Sequence, residues 1–156
     1  MLVFSRFDKS LVSSDQIGHF QKMVEDEQIK SFLRGRSFAV VGASNDRAKY
    51  GNKVFRNYMQ RNLPVFPVNP SSREIEGVRA YPTLSDLPEL VDGVSIITPP
   101  QQSEIVVSQA ISLGIRHFWM QPGAESPTAI RNALEVGANV IHSGPCLLVV
   151  LGFRDR

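Results

Sequence analysis

Ser37-Phe-Ala-Val-Val-Gly-Ala-Ser44, with the irregular loop Asn45 to Tyr50 and the pair Gly51-Asn52 behind it, is the stretch around which this chain is arranged. Phe38 to Val41 are apolar and mostly β-favouring, the pattern of a strand buried on both faces, and Gly42 lets the backbone turn sharply where that strand ends. Beyond Gly51 the period changes: Val54, Phe55, Tyr58 and Met59 recur at helical spacing, so the loop joins a central strand to a helix N-terminus. Such a junction gathers unpaired backbone N–H groups at the positive end of a helix dipole, the usual basis for holding a phosphate or diphosphate. The full G-x-G-x-x-G fingerprint is absent, because Ala43 and Ser44 follow Gly42 and the next glycine is Gly51. A plain turn after a buried strand is the alternative reading of these residues alone.

At 156 residues the chain has single-domain length, too short for a nucleotide domain plus a separate catalytic domain. Seventeen basic and fifteen acidic residues leave a net charge of +2 with no long run of either sign, so neither nucleic acid nor a membrane is expected as a partner. Cys146 stands alone, which excludes an internal disulfide and a thiolate zinc cluster and fits a reducing compartment. No metal site is expected, since His19 has no second ligand at metal spacing and His117 reads as a strand-surface residue. The first fourteen residues, MLVFSRFDKSLVSS, lack the apolar block of a secretory signal. A cytoplasmic location is expected, with a mitochondrial address as the alternative.

Upstream of the first strand, Ser13-Ser14-Asp15 offers helix caps, and Ile17, Phe20, Met23 and Val24 fall on one stripe that Ile29, Phe32 and Leu33 continue to Gly35. This predicts an extra helix packed outside the sheet. Downstream, Val65 to Val68 is a short second strand whose Pro67 suggests an edge. At its end Asn69, Pro70 and Arg73 stand where NAD binders usually carry an acid for the ribose hydroxyls; a guanidinium there suits a phosphorylated ribose instead. Glu74 to Tyr81 reads as a hairpin-like excursion around Gly77, and Pro82 to Pro88 as a capped helical turn. Val94 to Ile97 is the third main strand, closed by Thr98-Pro99-Pro100. A helix follows with Ile105, Val106, Ala110 and Leu113 on its buried side. Ile115 to Met120 is the fourth, with Gln121 and Gly123 expected at the far end of the cleft. A helix capped at Ser126-Pro127, a fifth strand at Asn139 to His142 and an apolar segment from Leu147 to Leu151 complete the chain. Alternating strands and helices with short connections give an α/β, doubly wound, mainly parallel sheet. Residues 1–35 form an N-terminal arm and helix, and residues 36–156 the sheet domain.

With these residues assembled, the chain resembles the compact CoA-binding proteins related to the N-terminal domain of the succinyl-CoA synthetase α subunit. The matching stretches are AVVGAS from Ala39, the helix start YGNKVFRNYM, PVFPVNP from Pro64, VSIITPP from Val94 and ISLGIRHFWMQPG from Ile111. The resemblance implies a Rossmann-like fold that holds coenzyme A by its ADP moiety. By position, Gly42, Ala43, Ser44, Gly51 and Asn52 would face the diphosphate, Asn69, Pro70 and Arg73 the adenosine side, and Thr98 and Pro99 the cleft wall. The loop ending in Lys49 and Tyr50 departs from the synthetase's glycine-bearing turn; Lys49 would reach a phosphate or stand in solvent. The synthetase's second domain and partner subunit have no counterpart in these residues, and His142 matches its phosphorylated histidine by no motif.

The expected function is therefore non-catalytic binding of coenzyme A or an acyl-CoA, alone or as a metabolite or redox sensor acting on a protein partner or in a homodimer. The rival is a small NAD(P)-binding oxidoreductase, disfavoured by the missing acid after strand two and by the lack of a Tyr-x-x-x-Lys pair. Catalytic residues are not expected. Cys146 is a candidate for thiol exchange with the cofactor, against the plainer reading of a buried small cysteine.

Overall fold

The computed structural model describes residues 13–156. The alternative of a mitochondrial address falls on residues 1–14, most of which lie outside the described residues. Helix α1 (Ser14–Leu33) is capped as its sequence asks: the Ser13 hydroxyl accepts from the Gln16 amide, and the Gln16 side chain accepts in return from the Ser13 amide. Then follow β1 (Phe38–Val41), α2 (Tyr50–Gln60), β2 (Val65–Val68), a small hairpin of β3 (Glu74–Ile75) and β4 (Val78–Arg79), and a 3-10 turn at Leu84–Asp86. The chain closes with β5 (Gly93–Ile96), α3 (Pro100–Ser112), β6 (His117–Met120), α4 (Pro127–Glu135), β7 (Asn139–Ile141) and the short α5 (Leu147–Val150).

The five main strands are all parallel, in the order β2-β1-β5-β6-β7. In that Rossmann-like arrangement the chain winds outward to β2 first, then crosses back over β1 to β5. The connections therefore leave β1 and β5 in opposite directions, and a crevice opens between their carboxyl ends. Pro67 lies in the edge strand β2, where a missing N–H costs no ladder bond on the open side.

Two apolar cores flank the sheet. One contains Phe32, Phe38, Val54, Phe55, Tyr58, Trp119 and Leu147, from α1, α2 and α5; the other contains Val94, Val106, Val107, Phe118, Ala129 and Ala133, from α3, α4 and the sheet between. Phe32 anchors α1 by stacking on Phe38 at 5.3 Å and meeting Trp119 edge-on at 5.4 Å. The first half of α1 departs from expectation: Phe20, Met23 and Val24 are exposed, because only the C-terminal turns of the helix reach β6 and β7. Tyr58 is fully buried with its hydroxyl 2.7 Å from Ser95 Oγ, and burial pushes its pKa far above the ordinary value.

Candidate functional site

At the end of β1 three stretches of backbone touch. Gly42 has φ +94°, and a Cβ placed on it would lie 2.0 Å from the Ile97 carbonyl oxygen; one placed on Gly51 would lie 1.9 Å from the Gly42 carbonyl oxygen. The corner therefore needs glycine twice, once for the left-handed turn and once for close approach. The Gly42 amide is already spent on the Val68 carbonyl at 3.1 Å. Among the described residues the amides of Ala43, Ser44 and Asn45 donate to no protein acceptor, so these, rather than that of Gly42, are the donors the corner offers.

The loop that follows is fixed by its own polar side chains. Ser44 Oγ accepts from the Asp46 amide at 3.0 Å, Asp46 Oδ1 from the Ala48 amide at 3.0 Å, and Asn45 bonds both the Glu74 carbonyl (2.7 Å) and the Glu76 amide (3.0 Å). Asn69 completes the frame, donating to the Ala43 carbonyl at 2.8 Å and accepting from the Ser71 amide at 2.7 Å. The hairpin and the β2 end are thereby tied to the first corner.

Between β1 and β5 lies a cleft of about 390 Å³, floored by Val41, Gly42 and Val68 and walled by Pro70, Leu84, Thr98, Gln102, Ile105 and Gln109. Not one of its lining residues is ionisable. Thr98 is held by Ser103, whose hydroxyl is 2.8 Å away, and Pro99 and Pro100 turn the chain into α3. A neighbouring hollow of about 470 Å³ shares Pro70 and Pro82 and adds Ser71, Ser72, Arg73 and Arg79. An uncharged cleft with a cationic hollow beside it suits an elongated ligand with an apolar or amide arm and a phosphorylated head.

The structure separates the remaining expected residues. Lys49 stands exposed at the N-cap position of α2 and makes no capping bond, and beside it Tyr50 is half-exposed with its pKa pushed up chiefly by the charge of the neighbouring Cys146 thiol group. Cys146 thus meets the corner from the α2 side, outside the cleft lining. Gln121 is a correction: it does not line the cleft but is fully buried, its Oε1 accepting from the Leu147 amide at 3.1 Å, because α5 folds back over the end of β6. Gly123 is exposed beyond it, with its amide on Glu125. Asn52 is a second correction. Its side chain is buried, donating to the Ser44 carbonyl and Glu76, both at 2.8 Å, and accepting from Arg56 at 2.7 Å, so it braces the loop instead of facing a ligand. The methyl of Ala43 is likewise buried, leaving only its backbone for contact.

A family model described as a CoA binding domain matches residues 36–152. The chain belongs to this family. The α subunit of an ADP-forming acetate–CoA ligase II of Pyrococcus furiosus is 41% identical over 69 residues, 44% of this chain and 15% of the ligase subunit. The uncharacterized protein YneT of Bacillus subtilis is 28% identical over 115 residues, which cover 73% of this chain and 85% of that protein. Among solved structures, a conserved hypothetical protein from Pyrococcus furiosus superposes with a TM-score of 0.69 at 36% identity, covering 74% of this chain and 98% of that one. The CoA-binding domain thus spans only a small fraction of the ligase subunit it matches, and nearly the full length of the small proteins.

Sequence reasoning missed part of the domain's lining. Ile105 was expected on the buried side of its helix, yet it is 62% exposed and faces the cleft, while Ser103 takes the inward position. Helical spacing back from Val106, Val107 and Ala110 reaches Ser103 and could have found this; the contiguous apolar run Ile105-Val106-Val107 obscured it. Arg79 carries no motif, and only the two-residue turn of the hairpin returns it to the side of Arg73.

Proposed function

We propose that this domain captures coenzyme A or an acyl-CoA without turning it over. The observation that carries the reading is the pair of hollows at the β1–β5 crevice: an uncharged cleft that shares Pro70 and Pro82 with a neighbouring hollow bearing Arg73 and Arg79. The free amides of Ala43 to Asn45 would hold the diphosphate, the arginines the phosphorylated ribose, and the wall of Thr98 and Ile105 the pantetheine arm. The absence of any ionisable side chain from the cleft lining supports a binding role, since acid–base work needs a titratable group within reach. Native mass spectrometry of the freshly purified protein should show one coenzyme A or acyl-CoA per chain. A nicotinamide dinucleotide in its place would overturn the proposal. Arg73→Ala should weaken coenzyme A more than dephospho-coenzyme A, and equal losses would remove the arginine's phosphate role.

A sensing role is the second reading, favoured by the free, partly exposed Cys146 thiol at the start of α5, next to Tyr50 at the corner. The Cys146 thiolate would attack the disulfide of oxidised coenzyme A, forming a mixed disulfide and releasing the other half as coenzyme A thiolate. Oxidised coenzyme A should then add one coenzyme A mass to the native chain and none to Cys146→Ser; equal addition to both would sink this reading while leaving the binding proposal intact.

A further inference from the structure

On the outer flank of α2, away from the cleft, the C-terminal residues fold back along the helix. The Gln60 side chain donates to the Arg154 carbonyl at 2.7 Å and accepts from its amide at 3.2 Å, and Arg61 Nε donates to the Leu151 carbonyl. Between them is a hollow of about 290 Å³ lined by Gln60, Arg61, Gly152, Arg154 and Arg156. It is lined by three guanidinium side chains and no side-chain carboxylate, among the described residues none of these three arginines forms an ion pair, and the Arg156 main-chain oxygen at its rim accepts from Arg47 Nη1 at 3.2 Å. An adjoining hollow of about 320 Å³ shares Gln60 and Arg156 and adds Arg47, Arg56, Met59 and the carboxylate of Glu76.

The acids nearby are already committed. Glu76 Oε1 accepts from Asn52 at 2.8 Å and from Arg47 at 3.0 Å, and Asp155 accepts from Arg56 Nη2 at 2.9 Å. Arg56 itself is only 4% exposed, its guanidinium lies over the Phe153 ring at 5.0 Å, and its Nη1 has no hydrogen-bond partner. Arg56 is thus buried and paired with Asp155, and the charge left over is that of Arg61, Arg154 and Arg156, three guanidinium groups without an ion pair around one hollow, which an added anion stabilises.

We infer that these joined hollows are a second ligand site, independent of the coenzyme A reading, for a short multiply charged phosphate chain. Guanidinium forks bind phosphate oxygens bidentately, and three or more of them along one groove match several linked phosphates better than a single carboxylate. Among the described residues no aromatic ring lines either hollow, so a base would find nothing there to stack on.

The probe is inorganic tripolyphosphate, titrated calorimetrically into the full chain with coenzyme A absent and then saturating. One equivalent should bind, roughly tenfold more weakly at about 150 mM than at about 20 mM salt, and coenzyme A should not displace it. The double variant Arg154→Glu, Arg156→Glu reverses two exposed charges and should lose at least tenfold in affinity, while Arg131→Glu on α4 should change it less than twofold. Equal loss in the α4 variant would reduce the effect to diffuse charge, and displacement by coenzyme A would make the groove part of the first site; either result overturns the inference. So would binding to phosphatidic acid vesicles without binding to tripolyphosphate, which would assign the arginines to a lipid headgroup.

Discussion

At the β1–α2 corner, backbone meets backbone, and no side chain of Gly42 or Gly51 intervenes; at the β5–α3 corner across the same cleft, two prolines make the turn and Thr98, Gln102 and Ile105 project over the opening. The first corner offers only amides and a helix end, groups that every phosphate recognises alike. The second offers shape and apolar area, which distinguish one ligand arm from another. The difference teaches that, on the proposed reading, anchorage and discrimination would be divided between opposite walls. It also teaches that they tolerate substitution very differently.

The largest effect is therefore expected at the first corner. Gly51→Ala places a methyl 1.9 Å from the Gly42 carbonyl oxygen, which must move. The cost should be roughly 3 kcal/mol or more, read as a lower urea midpoint, so loss of ligand binding there would report the fold as well as the site. A bulky residue at Gly42, where a Cβ would lie 2.0 Å from the Ile97 carbonyl oxygen, is expected to disturb the fold too. A stability change below about 1 kcal/mol for Gly51→Ala would mean that the corner is softer than its contacts indicate.

Ile105→Asp tests the opposite wall. The side chain is 62% exposed, so stability should stay within about 0.5 kcal/mol, while coenzyme A affinity should fall roughly tenfold. Unchanged affinity would remove the second corner from the ligand's path.

Asn45→Ala probes what holds the first loop in shape. Loss of the bonds to the hairpin at Glu74 and Glu76 should cost about 1 kcal/mol, with a larger loss in ligand affinity than in stability if the amides of Ala43 to Asn45 must be pre-aligned.

The smallest effect concerns pH. The hydrogen bond from Asn52, then that from Arg47, hold the Glu76 carboxyl below its ordinary value of 4.5. The unfolded chain then binds the proton first, so this contribution is present above pH 4.5 and is lost as pH falls through the depressed folded value. Glu76→Gln should flatten the acid limb of the stability curve slightly; an unchanged slope would show that the carboxylate is not held as the geometry indicates.

Legibility in the sequence follows the same division. Strands buried on both faces announce themselves as short apolar runs, so β1, β2, β5, β6 and β7 could be found, and Pro67 marked the edge. The β1–α2 corner was visible because glycine between a strand and a helix has few other uses. What lay hidden depends on long-range contact. Gln121 looks like a cleft residue until α5 closes over it, and Asn52 looks like a ligand donor until Glu76 and Arg56 claim its amide. Phe20 and Met23 follow a good helical stripe, but nothing local says that the helix overshoots the sheet. Arg47, Arg56, Arg61, Arg154 and Arg156 are too scattered along the chain to read as a patch; folding the C-terminal residues onto α2 gathers them.

The treatment of the β2 margin has a further consequence. Pro67 has no amide hydrogen to offer, its carbonyl is taken by the Tyr81 amide at 3.0 Å, and the Tyr81 carbonyl in turn receives the Asn69 amide at 2.9 Å. An incoming extended peptide finds no row of vacant groups to copy there, so strand-by-strand polymerisation is blocked on that side without a charged gatekeeper.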